Sequence, residues 1–197
     1  MISKRPVIIA LRFIAIIPGL AASGGLRAQT PDQWKVPAGF QVSVYADNVG
    51  NARQMALGPR GTVFVGSWTG KVYAVVDRDG DHKADRVLTI ASGLDQPNGV
   101  AIRNGALYVA TKSKILRFDD IERHLDTPPA PVVVRDSLPN PNVGHTWKFI
   151  AFGPDNLLYM SVGSPCNVCL APPMTAAILR MKPDGSGLEV FRRGSAQ

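Results

Sequence analysis

Charged residues are scarce in this sequence, at 19% of its 197 positions, and aromatic residues make up only 7%. Long amphipathic helical patterns are missing as well. Turn-forming residues are abundant instead, with 19 glycines and 16 prolines. This composition excludes a long helical protein and a highly charged disordered one. It favours a turn-rich globular chain, and the length suffices for one domain with a sizeable core.

Cysteine is nearly absent, because the chain contains only the two in PCNVCL, residues 165–170. Leu170 stands where a c-type haem attachment site needs histidine, and no second pair completes a four-ligand zinc site. The βαβ context of a thioredoxin-like redox pair is also missing. The sequence therefore predicts a local disulfide between Cys166 and Cys169 in an exported protein, with two free thiols as the alternative.

Acidic residues are absent from the first 28 positions, where a basic start, an apolar stretch and a run of small residues follow one another. This order is typical of a secretory signal. We expect residues 1–28 to be an export signal, cleaved after Ser23 or, with a poorer match, after Ala28. An uncleaved anchor is the alternative. The mature chain, residues 29–197, is then periplasmic or secreted.

The charge pattern indicates that neither a membrane nor a nucleic acid is a partner of this chain. Arg12 interrupts the apolar stretch of the signal, which argues against a stable membrane span. Much of the formal charge of +7 lies in the signal, and the remaining charges are scattered. A nucleic-acid partner is therefore not expected, because nucleic-acid-binding domains concentrate their basic residues on one surface.

One strand pattern recurs along the rest of the chain. Each unit has an apolar strand around an alanine, a Gly, Pro or Asn turn, a second apolar strand and a third amphipathic strand. The aligned alanines are Ala56, Ala101 and Ala151, so the repeat is 45 and then 50 residues long. An outer strand for each unit is predicted from the segments between them, which read QVSVYA, RVLTIA, APVVVRD and LEVFRR.

A four-stranded repeat near 45 residues predicts an all-β fold of the β-propeller class. A β-sandwich is the competing all-β fold, but it does not explain the repeated pattern. We count about three blades, whereas complete propellers have four to eight. The chain is therefore expected to form a partial ring whose end blades are uncovered, which favours self-association.

The amino-acid sequence of the repeats resembles the N-terminal half of the sorbosone/glucose dehydrogenase family. The segments that carry the resemblance are PAGFQVSVYADNVGNARQMALGP, GKVYAVVDRDGD, LDQPNGVAIRNGALYVA, WKFIAFGPD and VGSPCNVC. The resemblance runs from about Trp34 to Gly194. It implies an exported six-bladed propeller that uses pyrroloquinoline quinone, with calcium, to oxidise a sugar and pass the electrons to an acceptor.

The same resemblance implies that His145 is the general base that takes the hydroxyl proton. An imidazole titrates near neutrality, which suits that role. This sequence has Gly144 where sorbosone-type relatives carry a second histidine, and Ser164 where glucose-oxidising relatives place an acid. His82 and His124 are expected to be solvated.

Few cofactor-binding residues are expected in this stretch. Gln96 and Asn98, in LDQPNG, are candidates for contacting a ligand in the channel, with turn formation as the alternative. The cationic residues that grip the quinone, and the principal calcium ligands, are expected beyond Gln197. We therefore expect this chain alone not to oxidise sugars at a measurable rate.

A second candidate metal site lies in DRDGDHKAD, where Asp77, Asp79, Asp81 and Asp85 occupy positions 1, 3, 5 and 9. That spacing is typical of calcium loops, although His82 replaces the glycine expected at position 6. A solvated acidic hairpin is the alternative.

Two further functions remain open from the sequence. One is a calcium-dependent propeller lactonase or esterase, which activates water on the metal. The other is a non-enzymatic interaction propeller.

Overall fold

The computed structural model describes residues 33–140 and 145–194. The chain divides into two compact units, Met1–Ser43 and Val44–Gln197. In the first unit, the Phe40 N–H donates a hydrogen bond to the Pro37 carbonyl at 3.1 Å. The predicted export signal, residues 1–28, lies outside the described residues. Within the described ranges, no helix has the length and apolar composition that crossing a membrane requires.

The second unit contains three antiparallel sheets of four strands, and each sheet keeps its strands in chain order. Sheet 1 contains β1 (Ala52–Leu57), β2 (Val63–Ser67), β3 (Val72–Val76) and β4 (Arg86–Ala91). Sheet 2 contains β5 (Gly99–Arg103), β6 (Ala106–Ala110), β7 (Ile115–Phe118) and β8 (Val132–Arg135). Sheet 3 contains β9 (Ile150–Phe152), β10 (Leu158–Val162), β11 (Ala177–Met181) and β12 (Glu189–Arg193). A short 3₁₀ helix, Ile121–Arg123, separates β7 from β8.

The first hairpin of each sheet is closed by the turn residues that the sequence supplies. In sheets 1 and 3, the N–H of Gly58 and of Gly153 donates to the carbonyl four residues later, at 2.8 and 2.9 Å. In sheet 2, the two-residue turn consists of Asn104 and Gly105, whose φ angles are 49° and 77°. Positive φ at both positions is what a type I′ hairpin turn requires.

The repeated alanines face an aromatic ring on the neighbouring strand in every sheet. The cross-strand pairs are Ala56 with Phe64, Ala101 with Tyr108, and Ala151 with Tyr159. A small residue opposite a ring leaves space for that ring on the sheet surface. The three repeats therefore fold into three equivalent sheets, and the prediction of an all-β partial propeller with three blades is confirmed.

One predicted strand is wrong. The segment QVSVYA, residues 41–46, forms no strand in the structure. Its Tyr45 carbonyl accepts a hydrogen bond from the Ala84 N–H of the β3–β4 loop, at 2.8 Å. Alternating apolar residues favour a strand, but a strand also needs a neighbouring strand edge to pair with. Within the described residues this segment has none.

The core contains three clusters of buried side chains: two lie between adjacent sheets, and a third, formed by Val65, Tyr73 and Val75, lies on the outer side of sheet 1. Sheets 1 and 2 enclose a cluster that includes Phe64, Leu107 and Phe118, all at most 1% exposed. Sheets 2 and 3 enclose a second cluster that includes Ile150 and Leu179, both fully buried. Each fully buried side chain of this size stabilises the fold by about 1.5–3 kcal/mol.

The outer faces of sheets 1 and 3 are also apolar but remain partly open. Met55, which is 65% exposed, lines an apolar groove on sheet 1, and Leu57, two residues further along β1, is 70% exposed. On sheet 3, Tyr159, Ile178 and Phe191 line the outer face. Tyr159 occupies the position that Phe64 and Tyr108 hold in the covered interfaces. These faces therefore have the composition of an interface between blades.

Candidate functional site

Antiparallel strands place successive loops at opposite ends of each sheet. We call the surface formed at the sheet ends that carry the β2–β3, β4–β5, β6–β7, β8–β9 and β10–β11 loops the site face. His145, Gln96, Asn98 and the two cysteines all lie in these loops. The four aspartates of DRDGDHKAD lie in the β3–β4 loop, at the other face. The topology therefore groups the predicted catalytic and cofactor residues and separates them from the predicted calcium loop.

His145 is exposed and its ring is oriented by a backbone carbonyl. The Nδ1 atom lies 3.3 Å from the Ser164 carbonyl oxygen, in the loop that follows β10. A carbonyl oxygen only accepts hydrogen bonds, so the neutral imidazole donates from Nδ1 and keeps the lone pair on Nε2. The ring is therefore set in the tautomer that can accept a proton at Nε2.

The close approach of these two loops depends on Gly163. A Cβ at that position would overlap the backbone carbonyl oxygen and the Cβ of His145. Glycine therefore lets the end of β10 lie directly against the histidine. Ser164 stands where glucose-oxidising relatives place an acid. In this structure it is the backbone carbonyl of Ser164 that accepts a hydrogen bond from the His145 ring.

Gln96 and Asn98 contact the same segment as His145, which we call the His145 loop (residues 145–149). The Thr146 hydroxyl donates to Gln96 Oε1 at 3.0 Å. The Asn98 Nδ2 donates to the Lys148 carbonyl at 3.2 Å. The structure thus brings the three predicted site residues of the β4–β5 and β8–β9 loops together, and these bonds hold the His145 loop. A direct contact of Gln96 or Asn98 with a ligand stays a prediction.

Lys148 is a buried residue of the His145 loop that the sequence analysis missed. Its side chain is 1% exposed, and Nζ donates to the Lys112 carbonyl at 2.7 Å and to the Thr146 carbonyl at 3.4 Å. Burial and, as a smaller effect, the positive charge of Lys112 lower the pKa of Lys148 to about 8, and Asp95 opposes both. The ammonium joins the β6–β7 loop of sheet 2 to the His145 loop.

Gln54 links the first strands of all three sheets, and it too was missed. Its Nε2 donates to the Val100 carbonyl at 2.9 Å and to the Ile150 carbonyl at 2.6 Å. Its Oε1 accepts from the N–H groups of the same two residues, at 3.3 and 3.1 Å. The pairing of β1 with β2 is irregular between Ala52 and Met55, which is where Gln54 lies. One amide therefore bonds to β5 and β9 at once.

Arg53, Trp68 and Trp147 form a tryptophan–arginine cluster at the site face. The Arg53 guanidinium carbon lies 4.9 Å from the centre of the Trp68 ring and 4.7 Å from that of Trp147. The two rings meet edge to face, with centroids 4.4 Å apart, and each tryptophan is 41% exposed. The cluster joins sheet 1 to the His145 loop. The sequence gives no sign of it, because its members are far apart along the chain.

The two cysteines are joined in the structure. Cys166 and Cys169 form a disulfide with their Cα atoms 6.0 Å apart. The bond lies in the β10–β11 loop, and the Cys166 N–H donates to the Ser164 hydroxyl at 3.4 Å. The disulfide therefore restrains the loop whose Ser164 carbonyl orients His145.

The acidic loop, residues 77–85, gathers three of its four aspartates. Carboxylate oxygens of Asp77, Asp79 and Asp85 lie within 4.8 Å of one another. They already accept backbone hydrogen bonds of the same loop, including those from Gly80 and His82 to Asp77 at 2.8 and 3.1 Å. These bonds account for the turn, so calcium binding here stays a prediction.

Asp81 lies in the acidic loop but outside the group of three converging carboxylates, and neither of the two remaining histidines is near His145 in the chain. Asp81 Oδ1 accepts from the Lys83 N–H at 2.8 Å. His82 and His124 are exposed. His124 Nδ1 lies 3.0 Å from the Asp120 carbonyl at the end of the 3₁₀ helix.

The comparisons with known proteins agree with this fold. A family model described as a domain of unknown function, DUF7133, matches residues 28–197. An uncharacterized protein of Borreliella burgdorferi is 26% identical over 155 residues, which cover 74% of this chain and 39% of that protein.

Three solved structures share the fold at low sequence identity. The holo PQQ domain of a pyranose dehydrogenase from Coprinopsis cinerea has a TM-score of 0.65 at 16% identity, covering 76% of this chain and 38% of that one. A Trichoderma reesei carbohydrate-active enzyme of family AA12 has a TM-score of 0.60 at 17% identity, covering 74% and 38%. The PQQ-bound aldose sugar dehydrogenase of Streptomyces coelicolor has a TM-score of 0.55 at 24% identity, covering 73% and 48%. The chain thus spans less than half the length of each of these relatives.

Proposed function

Because the chain belongs to the DUF7133 family, whose function is unknown, we propose an activity from its site: oxidation of a sugar with pyrroloquinoline quinone. In this proposal the chain is the first half of a sorbosone/glucose-type dehydrogenase propeller, with an aldose as substrate and an external electron acceptor. The observation that carries it is the orientation of His145 by the Ser164 carbonyl on the site face. The fold shared with PQQ-dependent dehydrogenases supports the choice of cofactor.

His145 acts as the general base in this proposal. When bound, pyrroloquinoline quinone would supply the hydride acceptor. His145 would take the hydroxyl proton at Nε2, so that the substrate could leave as the carbonyl compound. The Nδ1–H remains bonded to the Ser164 carbonyl throughout, so the imidazolium formed keeps one hydrogen-bond partner.

The described residues fit part of the cofactor's chemistry. The quinone carries three carboxylates, which need cationic partners. Lys148 is unsuited to that role, because its Nζ is buried and bonded to two backbone carbonyls. Arg53 is exposed near the His145 loop and would face a carboxylate. The remaining cationic partners are expected from the part of the propeller beyond this chain.

The test is the activity of a complete propeller that carries these residues, loaded with pyrroloquinoline quinone and calcium and assayed on an aldose panel with an artificial acceptor. We expect His145→Ala to lower kcat by about 10²–10⁴, the usual contribution of a positioned base. The matched control is His124→Ala, which removes another exposed histidine and should leave kcat unchanged. Equal activity of wild type and His145→Ala would refute the role of His145.

The chain alone provides the companion test. We expect no turnover from residues 29–197 under the same conditions, because in this proposal most cationic partners of the cofactor come from other blades. Turnover by these residues that disappears in His145→Ala would show that three blades suffice and would refute this expectation.

Export belongs to the same proposal, and self-association is proposed for this chain alone, whose outer faces other blades do not cover. The composition of residues 1–28 supports export, and amino-terminal sequencing of the mature protein tests it. The apolar outer faces of sheets 1 and 3 support association of copies of this chain. In that case Tyr159→Glu, which charges one outer face, should lower the apparent mass in sedimentation. An unchanged mass, or a monomeric wild type, would contradict it.

A further inference from the structure

The tryptophan–arginine cluster holds a guanidinium that no carboxylate neutralises among the described residues. The ion pairs formed in the described ranges involve other basic side chains. Arg53 is nevertheless held in place, since two indole rings lie within 5 Å of its guanidinium carbon. An arginine stacked on aromatic rings keeps its five N–H donors in the plane of the guanidinium, where a carboxylate can accept two of them.

The two tryptophans are themselves fixed by the fold. The Trp68 N–H donates to the Asn51 carbonyl at 3.1 Å, which joins the β2–β3 loop to the residue before β1. Trp147 lies between Thr146 and Lys148, whose buried side chains are both hydrogen-bonded. These bonds, of which the one from Trp68 is made by its backbone N–H, fix the backbone that carries both indoles, and the edge-to-face contact of the two rings orders them further beside Arg53, which lowers the conformational cost of binding a ligand there.

The position of the cluster places it beside the proposed base. Trp147 is two residues from His145 in the same loop. Arg53 and Asn98 line one shallow open depression, together with Gln54 and Phe149. The cluster and the proposed base therefore share the His145 loop, and the guanidinium of Arg53 is open to a ligand in this depression.

We propose that Arg53, supported by Trp68 and Trp147, is a carboxylate-binding residue of this site. The carboxylate belongs either to the quinone cofactor or to an acidic sugar, and the chemistry of recognition is the same in both cases. The first source rests on the proposed function, whereas carboxylate binding at Arg53 does not require it.

The experiment measures binding to the full chain rather than turnover. Calorimetry and tryptophan fluorescence are recorded with four probes: pyrroloquinoline quinone, its trimethyl ester, glucuronate and glucose. We expect a carboxylate-bearing probe to bind and its ester or neutral counterpart to bind at least about tenfold more weakly, as the loss of charged hydrogen bonds implies. Arg53→Gln should weaken binding of the carboxylate probe by a similar factor, and Arg53→Lys should restore part of it.

The matched control is Arg103→Gln. Arg103 also lies over an aromatic ring, 5.8 Å from the centre of Phe152, but at the opposite end of β5 from the site face. This variant should bind the probes as the wild type does. Thermal melting of each variant checks that the fold is retained.

Each outcome decides the question. If Arg53 is needed for binding of the quinone but glucuronate does not bind, the carboxylate belongs to the cofactor. If Arg53 is needed for binding of glucuronate but the quinone does not bind, the carboxylate belongs to an acidic sugar, and the proposed cofactor gains no support from this site. Binding that is unchanged in Arg53→Gln overturns the inference, even where the quinone binds and the proposed function stands. Failure of the wild-type chain to bind either carboxylate probe overturns it as well.

Discussion

The sequence predicts a functional site in both the His145 loop and the acidic loop, but the polar side chains of the two loops have different hydrogen-bond partners in the structure. The polar side chains of the His145 loop bond to partners far along the chain, as in the pair formed by Thr146 and Gln96, 50 residues apart. The aspartates of the acidic loop bond to N–H groups a few residues away, as Asp77 does with Gly80. The first pattern joins separate sheets, whereas the second only closes a turn.

This difference separates a positioned site from local turn chemistry. Asx-type bonds form wherever aspartate lies in a tight turn, and they need no ligand. A loop held from several sheets keeps its side chains in one arrangement, as a catalytic base requires. Removing a long-range bond should therefore cost more than removing a local one, and the predictions below test this from the largest effect to the smallest.

The largest loss of stability is expected from Gln54→Leu. The substitution leaves N–H and carbonyl groups of Val100 and Ile150 without their amide partner. Each unsatisfied buried group costs about 1–3 kcal/mol, and partial access to water reduces the sum, so we expect a loss of about 3 kcal/mol. Urea unfolding measures it. Asp77→Asn in the acidic loop is the control, with an expected change below about 0.5 kcal/mol, and similar values for the two variants would contradict the comparison.

The next effect is a pH dependence caused by Lys148. Its pKa is lowered from 10.5 to about 8 by burial, so between these values the unfolded chain binds a proton that the folded chain has released. Stability then rises with pH across this window, and it gains nothing from this group below pH 8, where both states are charged.

The comparison of wild type with Lys148→Met isolates that contribution. We expect the free energy of unfolding of the wild type to rise by about 2 kcal/mol more than that of the variant between pH 8 and 10. Parallel pH profiles would show that the ammonium is well solvated, and the assigned cause would be wrong.

Some parts of the molecule could be predicted from the sequence and others could not. The three sheets were predictable because hairpin turns and the alanine–aromatic pairs are local patterns that recur in each repeat. His145, Gln96 and Asn98 were identified through family resemblance, and the loop order then placed them on one face. The segment QVSVYA was predicted wrongly, since pairing depends on a partner strand and not on alternation alone.

The residues that were missed have partners in other sheets. In the His145 loop, Trp147 and Phe149 are exposed while Lys148 between them is buried. Hydrophobicity predicts the reverse. The burial of Lys148 depends on the Lys112 carbonyl, 36 residues earlier in the chain, which no local pattern reveals.

A smaller effect is expected from Thr146→Val, which keeps the shape of the side chain but removes the hydrogen bond to Gln96. A single neutral hydrogen bond contributes about 1 kcal/mol, so urea unfolding should show a loss of that size. Thr146→Ser keeps the hydroxyl and should recover most of it. If the serine variant is as unstable as the valine variant, the lost methyl contacts and not the hydrogen bond explain the change.

The smallest effect is expected in the acidic loop, where calcium is the predicted ligand. The carboxylates of Asp77, Asp79 and Asp85 converge, but they are exposed and already accept backbone hydrogen bonds. Such a site should bind weakly, with a dissociation constant of about 10⁻³ M, the weak end of the range of extracellular calcium modules. At 1 mM calcium, mass action then adds about 0.4 kcal/mol to the free energy of unfolding. The measurement is the thermal midpoint with and without calcium, for the wild type and for Asp79→Asn. Stabilisation that the variant lacks supports a calcium loop, whereas no calcium effect on the wild type leaves turn closure as the whole role of these aspartates.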